Sequence, residues 1–414
     1  MQHTIYPSEI HRLPIDKIDP DALFVMGKLR QAGFTAYLVG GSVRDLLLNK
    51  TPKDFDISTS AEPEQIKKLF RNAILIGRRF RLAHIRFGQK ILEVSTFRSG
   101  NNEADTLITR DNEWGSPEED VLRRDFTING LFYDSSNHTV IDYVGGYEDL
   151  EKRLLRTIGQ PFLRFKQDPV RMLRLLKFRA RFGFEIDHDA RIALLESRHE
   201  ITKCSPARVL EEVLRMLESG ASRSFIQLLS DYGFLQLLLP EIASFLESAE
   251  GEEIYSYLQE VDTNCYHVHM PPVDRAILLC NLLYPILEKR IKHRYLDREK
   301  TPHFGDIQNE AYDLTDDVFK IFLQLPRKLK VEVVAILTYQ YRLTPLDKKK
   351  LKHLRIPNDP NFFLALQFLE IRSFIEPGLQ KIWESWENAI DSPLPAPRKY
   401  KRKTKPRSSK KHKE

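Results

Sequence analysis

Cysteine is scarce in this chain: Cys204, Cys265 and Cys280 are the three among 414 residues. A set that is odd in number and this sparse excludes a disulfide framework and points to reduced thiols. Long apolar runs are missing as well. Phe234 to Pro240 and Ala276 to Leu283 are interrupted within about ten residues, far short of the ~20 of a membrane helix. The opening residues, Met1-Gln-His-Thr-Ile-Tyr-Pro, have neither a charged n-region nor an apolar h-region, so no secretory signal is expected. A soluble cytoplasmic protein with no membrane partner is the expectation.

Apolar residues make up 42% and charged residues 29%, enough apolar material for packed cores, which excludes a mainly disordered chain. At roughly 150 residues per domain, this length suggests two to four domains. The 64 Lys+Arg and 58 Asp+Glu nearly balance, at +6, but their distribution is uneven. Residues 398–414 hold ten Lys+Arg and one Glu, leaving 54 basic and 57 acidic side chains, a net of −3, in the rest. A proline-rich linker from Pro393 therefore leads into a disordered basic tail suited to a polyanionic partner.

Residues before about 150 switch between strand and helix patterns. Thr35-Ala-Tyr-Leu-Val39 is a short apolar strand ending in Gly40-Gly41, with a short helix from Val43. Asp54-Phe-Asp-Ile-Ser58 alternates like a half-buried strand, and Pro63 to Phe70 has helical spacing with proline in the first turn. Arg81–Phe87 and Ile91–Phe97 are further strands. Mixed elements of this kind predict a small sheet backed by helices. Beyond 150 helical periodicity dominates: Val170–Phe182, Ala207–Leu217, Phe225–Leu239, Val318–Leu325 and Lys328–Tyr341. No fixed-period repeat runs through this half.

The chemistry concentrates in Gly40-Gly-Ser-Val-Arg-Asp45 and Lys53-Asp-Phe-Asp56. Two glycines between a strand and a helix let backbone N–H groups approach a phosphate. Asp54 and Asp56, two apart on a strand, present both carboxylates on one side. Hard divalent cations such as Mg²⁺ bind carboxylates together with substrate phosphates, and a metal pair activates a hydroxyl and stabilises a leaving pyrophosphate. Taken alone, a Gly-Gly is ordinarily a turn and an Asp-x-Asp a solvated strand face; their order and spacing favour the site. In Arg123-Arg-Asp-Phe-Thr-Ile-Asn129, Asp125 offers a third carboxylate and Arg124 a bidentate grip on a triphosphate. In Gln167-Asp-Pro-Val-Arg171, Asp168 and Arg171 offer an acceptor and donors to a base edge, with Arg174 available for phosphate. Asp168 also fits the N-cap of the following helix, with Pro169 at its first position.

These motifs, with Pro206-Ala-Arg-Val-Leu-Glu-Glu212, resemble the class II nucleotidyltransferases of the polymerase β superfamily. That group holds bacterial poly(A) polymerases and CCA-adding tRNA nucleotidyltransferases. Lys68-Leu-Phe-Arg-Asn, Gly77-Arg-Arg-Phe-Arg-Leu-Ala-His84 and the basic C-terminus are similar to the bacterial poly(A) polymerase I branch. The resemblance implies Asp54 and Asp56 as metal-binding catalytic carboxylates and Asp125 as the third acidic residue. It implies Gly40, Gly41, Arg44 and Arg124 around the nucleotide phosphates and sugar, and Asp168 and Arg171 as template-free base readers. The chain departs from the family pattern at Gln167, where Glu is usual, and at Lys177, where Arg is usual.

The implied fold is α+β: a nucleotidyltransferase head with a small mixed β-sheet and helices, then an all-α neck and body. The expected divisions are an N-terminal extension and first helix over 1–34, head 35–160, neck 161–225, body 226–392 and tail 393–414. The implied reaction extends RNA 3′ ends with AMP from ATP, using Mg²⁺ or Mn²⁺. The partners are ATP, RNA 3′ ends of mRNA or tRNA and, as a further class, RNA-degradation machinery. CCA addition to tRNA is the first alternative and a non-catalytic RNA-binding protein the second.

Weaker signals stand apart. Cys265-Tyr-His-Val-His269 lacks the partner ligands of a zinc site. His188-Asp189 is read as a capped helix start rather than a phosphohydrolase motif. Trp383 and Trp386 suit an apolar helix face. The basic stretches Lys289–Arg294 and Lys348–Arg355 are either solvated faces or phosphate tracks.

Overall fold

A computed structural model describes residues 3–77, 82–99, 113–264, 273–346 and 356–391. The Cys265–His269 cluster, the basic stretch 348–355 and the tail from Pro393 lie outside the described residues. Eight strands build one mixed sheet: β1 (Thr4–Tyr6), β2 (Ala36–Val39), β3 (Asp56–Thr59), β4 (Ala73–Ile76), β5 (Leu82–Phe87), β6 (Lys90–Thr96), β7 (Leu131–Asp134) and β8 (Thr139–Asp142). Their order is β1-β8-β7-β2-β3-β6-β5-β4, with β3 and β6 parallel and every other neighbouring pair antiparallel. The architecture is α+β as the motifs implied, but the sheet is larger than the small one expected. β1, β4, β7 and β8 are three or four residues each, too short for alternation to stand out.

The four strands predicted between 35 and 97 are present within two residues of their expected bounds. Helix Val170–Phe182 is as its period indicated. Two expectations fail. The helix read over Phe225–Leu239 is broken: Ser222–Asp231 ends before Gly233, whose φ of +75° reverses the chain, and a four-residue turn of helix, Leu235–Leu238, precedes Pro240. The helix read over Val318–Leu325 is the end of Phe304–Phe319 followed by non-helical chain, although Leu323 is fully buried. Burial without helix there produced a misleading period.

One apolar core runs from one face of the sheet through the helices to Trp386, and a smaller cluster around Phe97, Phe132 and Tyr143 covers the other face. Trp386 is buried and its Nε1 donates to the Leu343 carbonyl, a packing role. The C-terminal helices also bury a charge. Arg372, 3% exposed, donates Nε and Nη2 to Glu376 at 2.8 and 2.9 Å and stacks 4.2 Å from the Tyr284 ring centre. Removing one partner strands the other. Arg372→Met should therefore lower unfolding free energy by about 3 kcal/mol in denaturant titration, more than an average core truncation of a methyl group.

The stretch Lys289–Arg294 is largely spent inside the protein. Lys289 pairs with Glu250, Arg290 with Glu241 and Asp317, and Arg294 with Glu310, all at 2.7–2.8 Å. Helix His188–Ser197 begins where expected but carries no side-chain cap. Among the described residues no helix is long and apolar enough to cross a membrane.

Candidate active site

Strand register brings the first two motifs together. Val39 on β2 is paired with Asp56 on β3, so the Gly40-Gly41 turn leaves the sheet beside the acidic strand end. Gly40 has φ +67°, and a Cβ there would lie 3.0 Å from Arg124 Nη1. The backbone angle favours glycine, and a side chain there would also press on the Arg124 guanidinium. The Gly40 amide donates to the Leu131 carbonyl at 3.2 Å, so it belongs to the sheet and is not a phosphate donor. Helix Gly41–Leu47 follows directly.

β3 begins at Asp56; Asp54 lies just before it, and the exposed-buried-exposed-buried pattern over residues 54–57 puts both carboxylates on the open side. Asp56 lines a cavity of about 390 Å³ together with Gly40, Gly41 and Asp125. Its carboxylate reaches solvent at the mouth, yet its pKa is pushed up to about 6. Removal from bulk water is the largest cause, then the charges of Glu93 and Asp54, with Arg124 acting the other way. Glu93 stands directly across from Asp56 in the β3–β6 register. Glu93 is the one acidic residue in the run Ile91–Phe97, and only the strand pairing marks it as part of the site.

Asp125 has a different setting. Its Oδ1 accepts from the Asn129 amide and the Phe126 backbone, both at 2.9 Å, and Arg174 Nη1 lies 3.7 Å from Oδ2. Burial alone would raise its pKa; Arg174, the Asn129 bond and Arg171 outweigh that and hold it below the ordinary carboxylate value. It is thus neutralised by cations of helix Val170–Phe182, whereas Glu93 is the carboxylate in register with Asp56.

Seven cations line the cavity: Arg44, Arg123, Arg124, Arg171, Arg174, Lys177 and Arg181, against Asp56 and Asp125. Such a surplus suits a polyphosphate. The cations are not equally available. Arg44 is buried, with Nε and Nη2 on Asp45 and Nη1 on Asn129 Oδ1. Arg124 donates Nη2 to Asp120 at 3.0 Å, and its buried Nε has no hydrogen-bond partner. Arg174 and Lys177 both face Glu212, at 3.4 and 3.6 Å. Lys177 is a compact ammonium where a fork is usual, and burial holds its pKa below the ordinary lysine value.

Asp168 is not a helix N-cap. It closes helix Pro161–Gln167, and Pro169 occupies the cap of the next helix without a side-chain bond. The Asp168 carboxylate is therefore available: Oδ2 accepts from Arg208 Nη2 at 2.8 Å, while buried Oδ1 has no partner. Arg171 donates Nη2 to the Arg123 carbonyl at 3.0 Å, and its buried Nη1 is likewise unpartnered. Its Nε lies 3.8 Å from Asp168 Oδ2, so an open acceptor and an open donor stand on adjacent side chains. Gln167 accepts from buried Arg164 at 3.2 Å, and Arg164 Nη2 holds the Arg124 carbonyl at 2.7 Å. With a neutral partner there, burial draws the Arg164 pKa down to about 9.

Residues 36–156 match the family described as the Poly A polymerase head domain, and residues 183–246 match the "Probable RNA and SrmB- binding site of polymerase A". Poly(A) polymerase I of Escherichia coli O6:H1 is 37% identical over 405 residues, covering 93% of this chain and 85% of that protein. The chain belongs to the poly(A) polymerase and CCA-adding enzyme family. It is therefore a nucleotidyltransferase. The CCA-adding enzyme of Lactobacillus helveticus is 34% identical over 258 residues, 60% of this chain and 62% of that protein. In fold, the chain resembles the Bacillus stearothermophilus CCA-adding enzyme solved with CTP, with TM-score 0.64 at 24% identity over 90% of this chain and 83% of that one.

Family membership implies a divalent cation. The donor set fits one: Asp54 and Asp56 offer hard oxygen donors on the open side of the strand end, where burial and then the Glu93 charge raise the Asp56 pKa and a cation would offset both. Among the described residues no three His, Cys, Asp or Glu side chains form a metal-holding group.

Glu212, buried in helix Pro206–Leu217, sits behind the cavity against Arg174 and Lys177. Glu212→Gln should release Arg174 and Lys177 and raise KM for the nucleoside triphosphate by about tenfold, with a smaller change in kcat, in steady-state nucleotidyl-transfer kinetics.

Proposed function

We propose that the chain is a template-independent poly(A) polymerase, adding AMP from ATP to RNA 3′ ends. The observation that carries this reading is the length of the likeness. The match to poly(A) polymerase I of Escherichia coli O6:H1 covers 93% of the chain at 37% identity, whereas the matches to the CCA-adding enzymes of Lactobacillus helveticus and Bacillus subtilis, at 34% and 33%, cover 60% and 52% of it. The proposed divisions are a catalytic head over 35–160, a base-reading neck over 161–225, an RNA-binding body over 226–392 and a basic tail.

Chemically, the RNA 3′-hydroxyl oxygen forms a bond to the α-phosphorus of ATP as the bond to the pyrophosphate oxygen breaks, releasing pyrophosphate and the hydroxyl proton. Asp54 and Asp56, with Glu93 beside them, would hold Mg²⁺ or Mn²⁺, which when bound lowers the hydroxyl pKa and offsets charge on the phosphates. Arg124 and Arg174 would hold the triphosphate, and Asp125 with Glu212 would keep Arg174 in place. The Asp168 and Arg171 pair would read the base. Adenine presents an N6–H donor beside the N1 acceptor, and cytosine an N4–H beside N3, so one acceptor and one donor accept both. Guanine and uracil present the reverse order and would leave buried polar groups unpaired. The pair is thus compatible with poly(A) and with CCA addition, and the number of residues added distinguishes them.

Incubation of the full chain with a generic RNA, Mg²⁺ and labelled ATP should give long A extensions. Absence of extension contradicts the proposal.

A further inference from the structure

Helices Gly41–Leu47 and Val170–Phe182 meet at a seam beside the cavity. Phe178 and Phe182 stack there, centroids 6.0 Å apart and planes at 17°. The Arg44 guanidinium lies over both rings, 4.9 and 4.8 Å from their centres. Lys50 at 4.8 Å and Arg181 at 5.0 Å share the Phe182 ring. Three cations on one ring repel one another, and Lys50 is held below its ordinary pKa by burial and then by Arg181.

The carboxylate that binds this group is Asp45, 5% exposed. Its Oδ1 accepts from Arg44 Nε and Nη2 at 2.9 and 2.7 Å, and its Oδ2 accepts from Arg181 Nη2 at 3.1 Å. Arg44 and Arg181 line the cavity; Asp45 stands behind them. One side chain therefore ties the helix that follows the glycine turn to the helix that carries Arg171 and Arg174.

We propose that Asp45 is a positioning residue for nucleotide selection, fixing the spacing between the acidic end of β3 and the base-reading end of helix Val170–Phe182. The inference rests on the reading of the site given under Proposed function. A nucleotide held at both ends must match that spacing, and a misplacement of about 1 Å can cost 10²-fold in rate. The correct nucleotide uses both ends and loses most when the bridge goes. A mismatched one, held by its phosphates alone, loses less. Selectivity and turnover therefore fall together.

The test is primer extension by the full chain with ATP and, separately, GTP, for the unmutated protein, Asp45→Asn, Arg181→Gln and the double variant, with melting temperatures recorded. The expected result is a fall in kcat for ATP of about tenfold, a similar fall in preference for ATP over GTP, and a change in KM of less than about threefold. The double variant should be no worse than the poorer single one, because both remove the same bridge. If Asp45→Asn fails to fold, Arg181→Gln, which leaves the Arg44–Asp45 pair intact, carries the same expectation. Equal losses for both nucleotides, or single effects that multiply in the double variant, overturn the inference. An unmutated chain that transfers no nucleotide overturns the reading beneath it as well.

Discussion

On the proposed function, Asp56→Asn should abolish nucleotidyl transfer, with kcat at least about 10³-fold down, because it would remove a ligand of the cation whose charge offsets the reacting phosphates. The same substitution should stabilise the metal-free protein at neutral pH. The folded-state pKa of about 6 lies above the ordinary 3.8, so between these values the folded state binds more protons than the unfolded one. Stability therefore falls as pH rises through this window and stays lower above it. Asn carries no charge and escapes that cost. The gain in melting temperature over the unmutated protein should be present at pH 8 and fade on acidification from pH 6 towards 4. A gain that is largest in acid would contradict the assigned charge state. Loss of activity joined to a gain in stability separates a functional carboxylate from a structural one.

The second large effect concerns the base. Asp168→Ala removes the open acceptor at Oδ1 while costing no helix cap, since Asp168 makes none. Arg208, which donates to Asp168, is half exposed and can return to water. Buried Arg171 loses its nearest counter-charge, with Asp125 remaining, so the melting temperature is recorded beside the kinetics. A site that hydrogen-bonds its substrate rejects analogues lacking the match by up to about 10⁴, so discrimination against GTP and UTP should drop by about 10²-fold or more. The comparison is kcat/KM for each nucleotide on one RNA primer. An unchanged ATP preference would remove Asp168 from base reading.

Much of this site was legible in the chain because its chemistry lies in short contiguous motifs. Gly40-Gly41 and Asp54-x-Asp56 sit where one strand leaves the sheet and its neighbour enters, so local spacing and tertiary contact coincide. Residues that act across elements were not legible. Glu93 meets Asp56 through a parallel strand pair, and no local pattern encodes that register. Glu212 and Asp45 are buried acids facing arginines from another helix, and in sequence each reads as an ordinary polar position. Asp125 sits in a motif with all the marks of a metal ligand, yet the structure surrounds it with Asn129, Arg174 and Arg171. Arg44, expected at the phosphates, is largely occupied by Asp45 and Asn129.

The most direct test of the central claim offers the full chain a tRNA lacking its 3′-terminal C-C-A, with ATP and CTP together and then singly. Long A tracts that form without CTP and grow on unrelated RNA equally well are the expected result. Addition that needs CTP and stops after C, C and A would contradict it.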